Sequence, residues 1–325
     1  MKKFNWKTNT KINDIIKRSF IIKKIRKFFD KRNFIEVDTP TLTQFENTSP
    51  YLKQFNTNFI NYGKIKKLFL ITSPEYHMKR ILASNINKSI YQICHSFRNE
   101  ELGKYHNPEF TMLEWYHKDY NLSQLMLEVN KFFMTFGFKK PKKYSYKNIF
   151  LKYLKINPFK TKYKKILSLI KDIGFIYQNY KNFNSKIIDD YVQILFNLYI
   201  VPKLGYKKPV IIYHFPATQK TTETINKKTY LANRFEIFFK GVELGNGFHE
   251  LNNFIEQKKR FHQDNNNRKL MGLSSKKIDY LFLKAIKYGN IPDCSGMAIG
   301  LDRFIMFLLK KKSIHKSLNF SINKS

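Results

Sequence analysis

The sequence predicts an α+β fold, a mostly antiparallel sheet with polar motifs on one face and helices covering the other. Two β-rich runs, "SIYQICHSF" and "FTMLEWYHKDY", flank a charged loop and read as an antiparallel pair whose charges share one face. Helical spacing at residues 12–29 runs directly into a short β-rich stretch. No Walker A loop, GxGxxG or HExxH occurs, which disfavours the usual nucleotide-binding folds.

Taken in order, "INDIIKRSFIIKKIRKFF" places apolar residues three and four apart and predicts an amphipathic helix, capped by Asn13 or Asp14. "NFIEVDTPTL" follows as an edge strand that Pro40 ends. A strand is expected over 68–72, then a helix opened by Ser73 and Pro74 and running to Leu82. Residues 121–208 are Lys-, Asn- and Phe-rich and read as a helical insertion within a single domain spanning 1–325. Strands resume in "PVIIYHFPA" and in "ANRFEIFFKGVELGNGFHEL", where Gly241 marks a tight turn and Gly245 and Gly247 permit close backbone approach. "EQKKRFHQDNNNRKLMG" is helical, and "CSGMAIGLDRFIMFLL" reads as a strand followed by a helix starting near Asp302.

Composition narrows the classes. A chain of 325 residues with 42% hydrophobic and 16% aromatic content is globular rather than disordered. Lys and Arg number 60 against 24 Asp and Glu, a net charge of +36. That excess is mostly Lys, spread over the whole chain, and accompanies abundant Asn, Ile, Phe and Tyr, all residues with A/T-rich codons. Base composition of the gene therefore accounts for it, and an anionic partner stays open. Cys94 and Cys294, the only cysteines, lack CxxC or Cys/His spacing, so both read as packing residues. No signal-peptide h-region and no run of about 18 apolar residues is present, so the expectation is a soluble, cytoplasmic protein without a membrane partner.

The charged positions suggest a chemistry. Arg98 and Arg303 offer planar guanidiniums suited to a polyphosphate, and Phe110 a flat face for a base. Glu243 and Glu250 flank the strand-turn "ELGNGFHE" and suit Mg2+ bridging phosphate oxygens. Glu75, Glu114 and Tyr116 suit an ammonium group. Together they point to ATP and an amino acid, although each Arg or Glu alone is an ordinary ion-pair residue, and His95, His106 and His249 read as ordinary hydrogen-bonded histidines.

"FRNEELGKYHNPEFTMLEWY" resembles motif 2 of the class II aminoacyl-tRNA synthetases, "GMAIGLDRFIMFLL" their motif 3, and "RSFIIKKIRKFFDKRNFIEVDTPTL" their motif 1. "TSPEYHMKR" and "GVELGNGFHEL" are similar to the lysine-type subgroup. Within it the chain looks most like the shortened paralogues that ligate (R)-β-lysine to elongation factor P, because motif 1 begins almost at the N-terminus, leaving no room for an OB-fold. Ala298 also stands where the synthetases have glycine. The resemblance implies a homodimer built through motif 1, and an enzyme that activates lysine or (R)-β-lysine with ATP and Mg2+. It passes the aminoacyl group to a lysine ε-amine of elongation factor P, which disfavours tRNA as the acceptor. By the same resemblance, Arg98, Asn99, Glu100, Asn107, Phe110, Glu243, Leu244, Gly300 and Arg303 contact ATP, with Arg98 on the α-phosphate and adenine between Phe110 and Arg303. Ser73, Pro74, Glu75, Glu114, Tyr116, Glu250 and Ala298 line the amino-acid pocket, Glu243 and Glu250 serve the metal, and Arg98 and Arg303 act in catalysis. A minimal enzyme charging tRNA with lysine, or a non-catalytic basic RNA- or factor-binding module, fits the same residues.

Overall fold

The structure is a computed structural model that describes residues 6–174, 185–219, 222–226, 228–289 and 291–325. The chain forms two compact units, one from the residues up to Tyr120 together with Leu251–Ser325, the other from Asn121–Glu250.

In the first unit, the strands Ile35–Glu36, Ile90–Phe97, Glu109–Lys118 and Cys294–Gly300 lie side by side in that order. The first pair is parallel and the others antiparallel. The helix Ile12–Asp30 forms as its spacing requires and covers one face: Phe29 stacks on Tyr91 at 4.4 Å and meets the edge of Trp115 at 5.3 Å. Tyr91 and Trp115 are direct cross-strand partners, so one phenylalanine closes both strands. Neither Asn13 nor Asp14 caps this helix. Lys11 holds the cap position, and Asp14 turns to an ion pair with Lys311 at 2.6 Å. The other sheet face carries Ile90, Tyr116 and Cys294 against Met78 and Leu82 of the helix Glu75–Leu82. Charges divide between the two faces instead of sharing one, since Glu109 pairs with His95 at 2.8 Å on the face opposite Glu114.

A second sheet joins Leu42–Thr43, Lys64–Leu70 and Asn56–Asn61. Its strand starts earlier than the 68–72 expectation because Tyr62 and Gly63, at φ 45° and 74°, make a hairpin turn. The hairpin is mostly exposed, so no apolar alternation announced it. The helix Tyr280–Tyr288, capped by Asp279 on the Phe282 N–H at 2.8 Å, also went unforeseen; it stacks Phe282 on Tyr76 at 4.6 Å.

In the second unit the strand order is Val242–His249, Arg234–Phe239, Val210–Tyr213, Lys142–Ser145, the last pair parallel. The helix Leu122–Thr135 opens with a capping box of Asn121 and Gln124. Tyr146, Phe150, Phe196, Phe215 and Phe238 fill an aromatic core beside the strands. The segment 121–208 is therefore not wholly helical. Lys142–Ser145 pairs with Val210–Tyr213 although "KKYS" has little apolar character, and part of the expected insertion, 175–184, lies outside the described residues. Lys240 and Gly241, at φ 49° and 74°, make the tight turn expected at Gly241. Gly247 serves side-chain packing rather than backbone approach, since a Cβ there would lie 2.3 Å from the ring of its cross-strand partner Phe235.

Candidate active site

Strand register builds the first half of the site. Gln92, Glu114 and Ala298 stand in one cross-strand row, Ile90, Tyr116 and Gly296 in the next, and Cys94, Met112 and Gly300 on the other side. With a period of two, all nine face the helix Glu75–Leu82. On the strand Cys294–Gly300 that face carries only Cys, Gly, Ala and Gly, so it stays low beside the buried Glu114 carboxylate. The Tyr116 hydroxyl donates to Glu114 Oε1 at 2.5 Å. Lys79, almost fully buried, donates to Glu75 Oε1 at 2.7 Å and lies 5.9 Å from the Tyr116 ring centroid. Two carboxyl groups, a phenol and an ammonium thus share this part of the site.

Burial, and after it the Glu114 charge, push the Cys94 thiol up to about 12, so it is a packing group and no nucleophile. Ser73 and Pro74 precede the helix, and Ser73 lines a small cavity of about 30 Å³ together with Thr72, Asn47 and His77.

Loop 98–108 joins the two central strands. The Arg98 N–H donates to the Pro108 carbonyl at 2.8 Å, which closes the loop's base. Its guanidinium sits 5.2 Å over the Phe110 ring and 3.8 Å from Glu101, and its buried Nε has no hydrogen-bond partner among the described residues. Glu100 has φ 67°, unfavourable for a residue with a Cβ, and pairs with exposed Lys53 at 2.5 Å. Asn99 Oδ1 accepts the Glu100 N–H at 2.9 Å. Asn107 is buried, its Nδ2 donating to the Glu109 carbonyl at 2.6 Å. Arg303, in the first turn of the helix Leu301–Leu308 that Gly300 precedes, donates from Nε to the Tyr105 carbonyl at 2.9 Å. The guanidinium over Phe110 is thus that of Arg98, while Arg303 reaches the loop. Burial, together with Arg303 and Arg98, lowers the His106 pKa, so its ring is neutral at pH 7.

Asp302 ties the three motifs together. It is buried, pairs with Arg18 at 2.7 Å and accepts the Thr111 N–H at 2.6 Å, while Arg18 also donates to the Thr111 hydroxyl at 3.0 Å.

In the second unit, "ELGNGFHE" is a continuous strand rather than a strand-turn, and Glu250 lies just beyond it. The register slips between Ile237 and Phe238, so Phe238 faces Glu243 and Ile237 faces Gly245, with buried Leu244 between. This bulge lets Glu243 and Asn246, three residues apart, meet at 2.8 Å. Glu250 is buried and bridges to Glu223. Arg234 forms an ion pair with Glu236. Burial opposes its charge, and the carboxylates of Glu236, Glu223 and Glu243 more than offset that, raising its pKa. Glu243 and Glu250 offer hard oxygen donors, and no cluster of three or more His, Cys, Asp or Glu able to hold a metal occurs among the described residues. Such a donor set fits a divalent cation that keeps phosphate oxygens and water as its remaining ligands.

The model of class II tRNA synthetases (D, K and N) matches residues 3–324. This chain belongs to that family. Class II relatives similar to it over the whole chain include the elongation factor P–(R)-β-lysine ligase of Buchnera aphidicola subsp. Acyrthosiphon pisum (strain APS), 48% identical with all of both chains covered. The same-named proteins of Pasteurella multocida (strain Pm70) and Edwardsiella ictaluri (strain 93-146) are 41% and 39% identical, with at least 98% of each chain covered.

Within this class II chain, sequence reasoning passed over Lys79, Gln92, Asp302, Arg234 and Asn246. Only Lys79 left a readable signal, the Glu75–Lys79 spacing of four on a helix. Gln92 is buried in the Glu114 row with its Nε2 lacking a hydrogen-bond partner among the described residues.

Proposed function

We propose that this protein is an ATP-dependent ligase that activates (R)-β-lysine and transfers it to a lysine ε-amine of elongation factor P. The observation that carries the proposal is the Glu114–Ala298 row, a buried carboxylate facing a strand of minimal side chains, in a chain whose full-length relatives bear that ligase's name. A substrate carboxylate oxygen attacks the α-phosphorus of ATP and pyrophosphate departs. The acceptor amine then attacks the mixed-anhydride carbonyl, loses a proton, and AMP departs. Arg98 stabilises the charge developing on the α-phosphate, Glu75, Glu114 and Tyr116 hold the substrate amine, and Phe110 and Arg303 contact the base. Glu250 serves the amine as well, and Glu243 with Glu250 holds Mg2+, which neutralises phosphate charge. The one added methyl of Ala298 selects the β-isomer over L-lysine.

A homodimer is part of the proposal. Ile12, Ile16 and Phe20, four residues apart along one helix, are all exposed, an apolar stripe that a second copy covers. The enzyme acts in the cytoplasm, and no helix among the described residues is long and apolar enough to cross a membrane.

The test is pyrophosphate release with ATP, Mg2+ and (R)-β-lysine, L-lysine or neither, with elongation factor P or tRNA as acceptor. β-Lysine-dependent release with label on the factor is the expected result. Label on tRNA identifies a minimal synthetase instead, and release independent of any amino acid defeats both.

A further inference from the structure

We propose that residues 314–322 form a strap that positions the ATP-binding loop 98–108, gripping it through the Ile322 N–H and the His315 ring. This rests on the function proposed above. The loop makes few hydrogen bonds of its own: a reciprocal pair between Gly103 and His106 at 3.2 Å, the Arg98–Pro108 closure, and the Glu100 N–H on Asn99 Oδ1 at 2.9 Å. At its start the Asn99 N–H donates to the Lys53 carbonyl at 2.9 Å and Glu100 pairs with Lys53, whereas residues 103–105 and Asn107 Oδ1 are anchored by the chain after Gly300. The Ile314 N–H donates to the Lys104 carbonyl at 2.9 Å, His315 Nε2 lies 3.0 Å from the Gly103 carbonyl, and the Ile322 N–H donates to Asn107 Oδ1 at 3.2 Å. With Arg303 on Tyr105, four of the five residues 103–107 are held from the same side.

The strap is itself braced at its far edge. The Asn9 N–H donates to the Asn319 carbonyl at 2.8 Å, Asn9 Nδ2 to Ser321 Oγ at 3.0 Å, and Thr10 Oγ1 to Asn319 Oδ1 at 2.9 Å. Ile314, Ser317 and Ser321 are buried. Asn107 therefore has both ends of its amide fixed, Nδ2 by Glu109 and Oδ1 by Ile322, leaving one N–H for a ligand. Removing the Ile322 donor frees the amide plane to turn and weakens its hold on the nucleotide. Ile322 and His315 are positioning residues in this scheme.

Ile322 suits a clean test. It is the second residue of a turn closed by the Lys324 N–H on the Ser321 carbonyl at 2.7 Å, a position that accepts proline, and its side chain is half exposed. Ile322→Pro removes the donor with little else, and Ile322→Ala retains it. His315→Ala removes the second grip, whereas His315→Gln keeps an N–H near the Nε2 position. The expected result is an approximately fivefold rise in KM for ATP in Ile322→Pro and His315→Ala, from one lost hydrogen bond each. KM for the amino acid, kcat and Tm stay near wild type, Ile322→Ala and His315→Gln behave as wild type, and hydrogen exchange over 99–108 quickens in the ligand-free Pro and Ala variants. An unchanged KM for ATP in both variants overturns the strap, as does a joint rise of both KM values with a fall in Tm. Should the wild-type protein show no amino-acid-dependent turnover, the ligase function fails on its own. Exchange over 99–108 then decides the strap, and unchanged rates overturn it.

Discussion

Glu114 and Glu243 each project from a long strand, yet they reach their places by opposite routes. Glu114 sits in an unbroken ladder, where pairing with Gln92 and Ala298 carries the period of two from sequence into space. Glu243 sits at a slip in the ladder, where Phe238 takes it as partner and Leu244 is passed over. A regular ladder lets a reader locate side chains by counting. A bulge breaks the count and leaves only the motif. The charges differ as well: Glu75, which pairs with Lys79, is partly exposed, whereas the carboxylates of Glu236, Glu223 and Glu243 together hold up the charge of Arg234.

The largest effect should come from that last difference. Arg234→Leu leaves the carboxylates of Glu236, Glu223 and Glu243 facing one another, and should cost about 3–5 kcal/mol in urea unfolding. Lys79→Met should cost clearly less, and equal losses would erase the contrast. Next, Arg98→Ala should reduce β-lysine-dependent pyrophosphate release by about 10²–10³-fold with urea unfolding near wild type. A variant with full turnover would remove the ATP loop from the mechanism.

Ala298→Gly probes the ladder side alone. Deleting the methyl opposite Glu114 should shift the ratio of kcat/KM for (R)-β-lysine over L-lysine about tenfold toward L-lysine. An unchanged ratio would place selectivity elsewhere in the pocket. The smallest effect concerns pH and touches both units. Burial lowers the pKa of His77 and His106 in the first and of His214 in the second. The unfolded chain therefore takes up protons first as pH falls below about 6.5, so the stability these rings contribute is complete above that pH and declines beneath it. His106→Gln should flatten the slope of unfolding free energy between pH 6.5 and 5, and an unaltered slope would mean that His106 titrates alike in both states.

Much of the site was legible because its chemistry is packed into contiguous words. Arg98, Phe110, Glu114 and Tyr116 lie within one stretch, and the strand–loop–strand reading placed Arg98 in the loop after Ile90–Phe97 and the other three on Glu109–Lys118. The helix Ile12–Asp30 was equally plain, since its buried Ile25, Phe28 and Phe29 follow helical spacing. What escaped was set by distant partners. Asp302 acquires its role from Arg18 and Thr111, and Asn107 meets Ile322 across 215 positions, so neither contact leaves a local trace. The hairpin at residues 56–70 escaped because solvent on both faces removes the alternation that marks a strand. Strand Lys142–Ser145 escaped because its backbone pairing with Val210–Tyr213 asks little of its side chains.

The low face of the strand Cys294–Gly300 limits the enzyme's evolutionary reach. Gly296 and Gly300 are already at the smallest size a residue can have, so any substitution there fills space and excludes ligands. Only Cys294 and Ala298 can shrink. Cys294 is committed to packing against Met78 and Leu82, so lineages descending from this chain can gain room for a bulkier substrate on this strand at Ala298 alone, and the whole available gain there is a single methyl group.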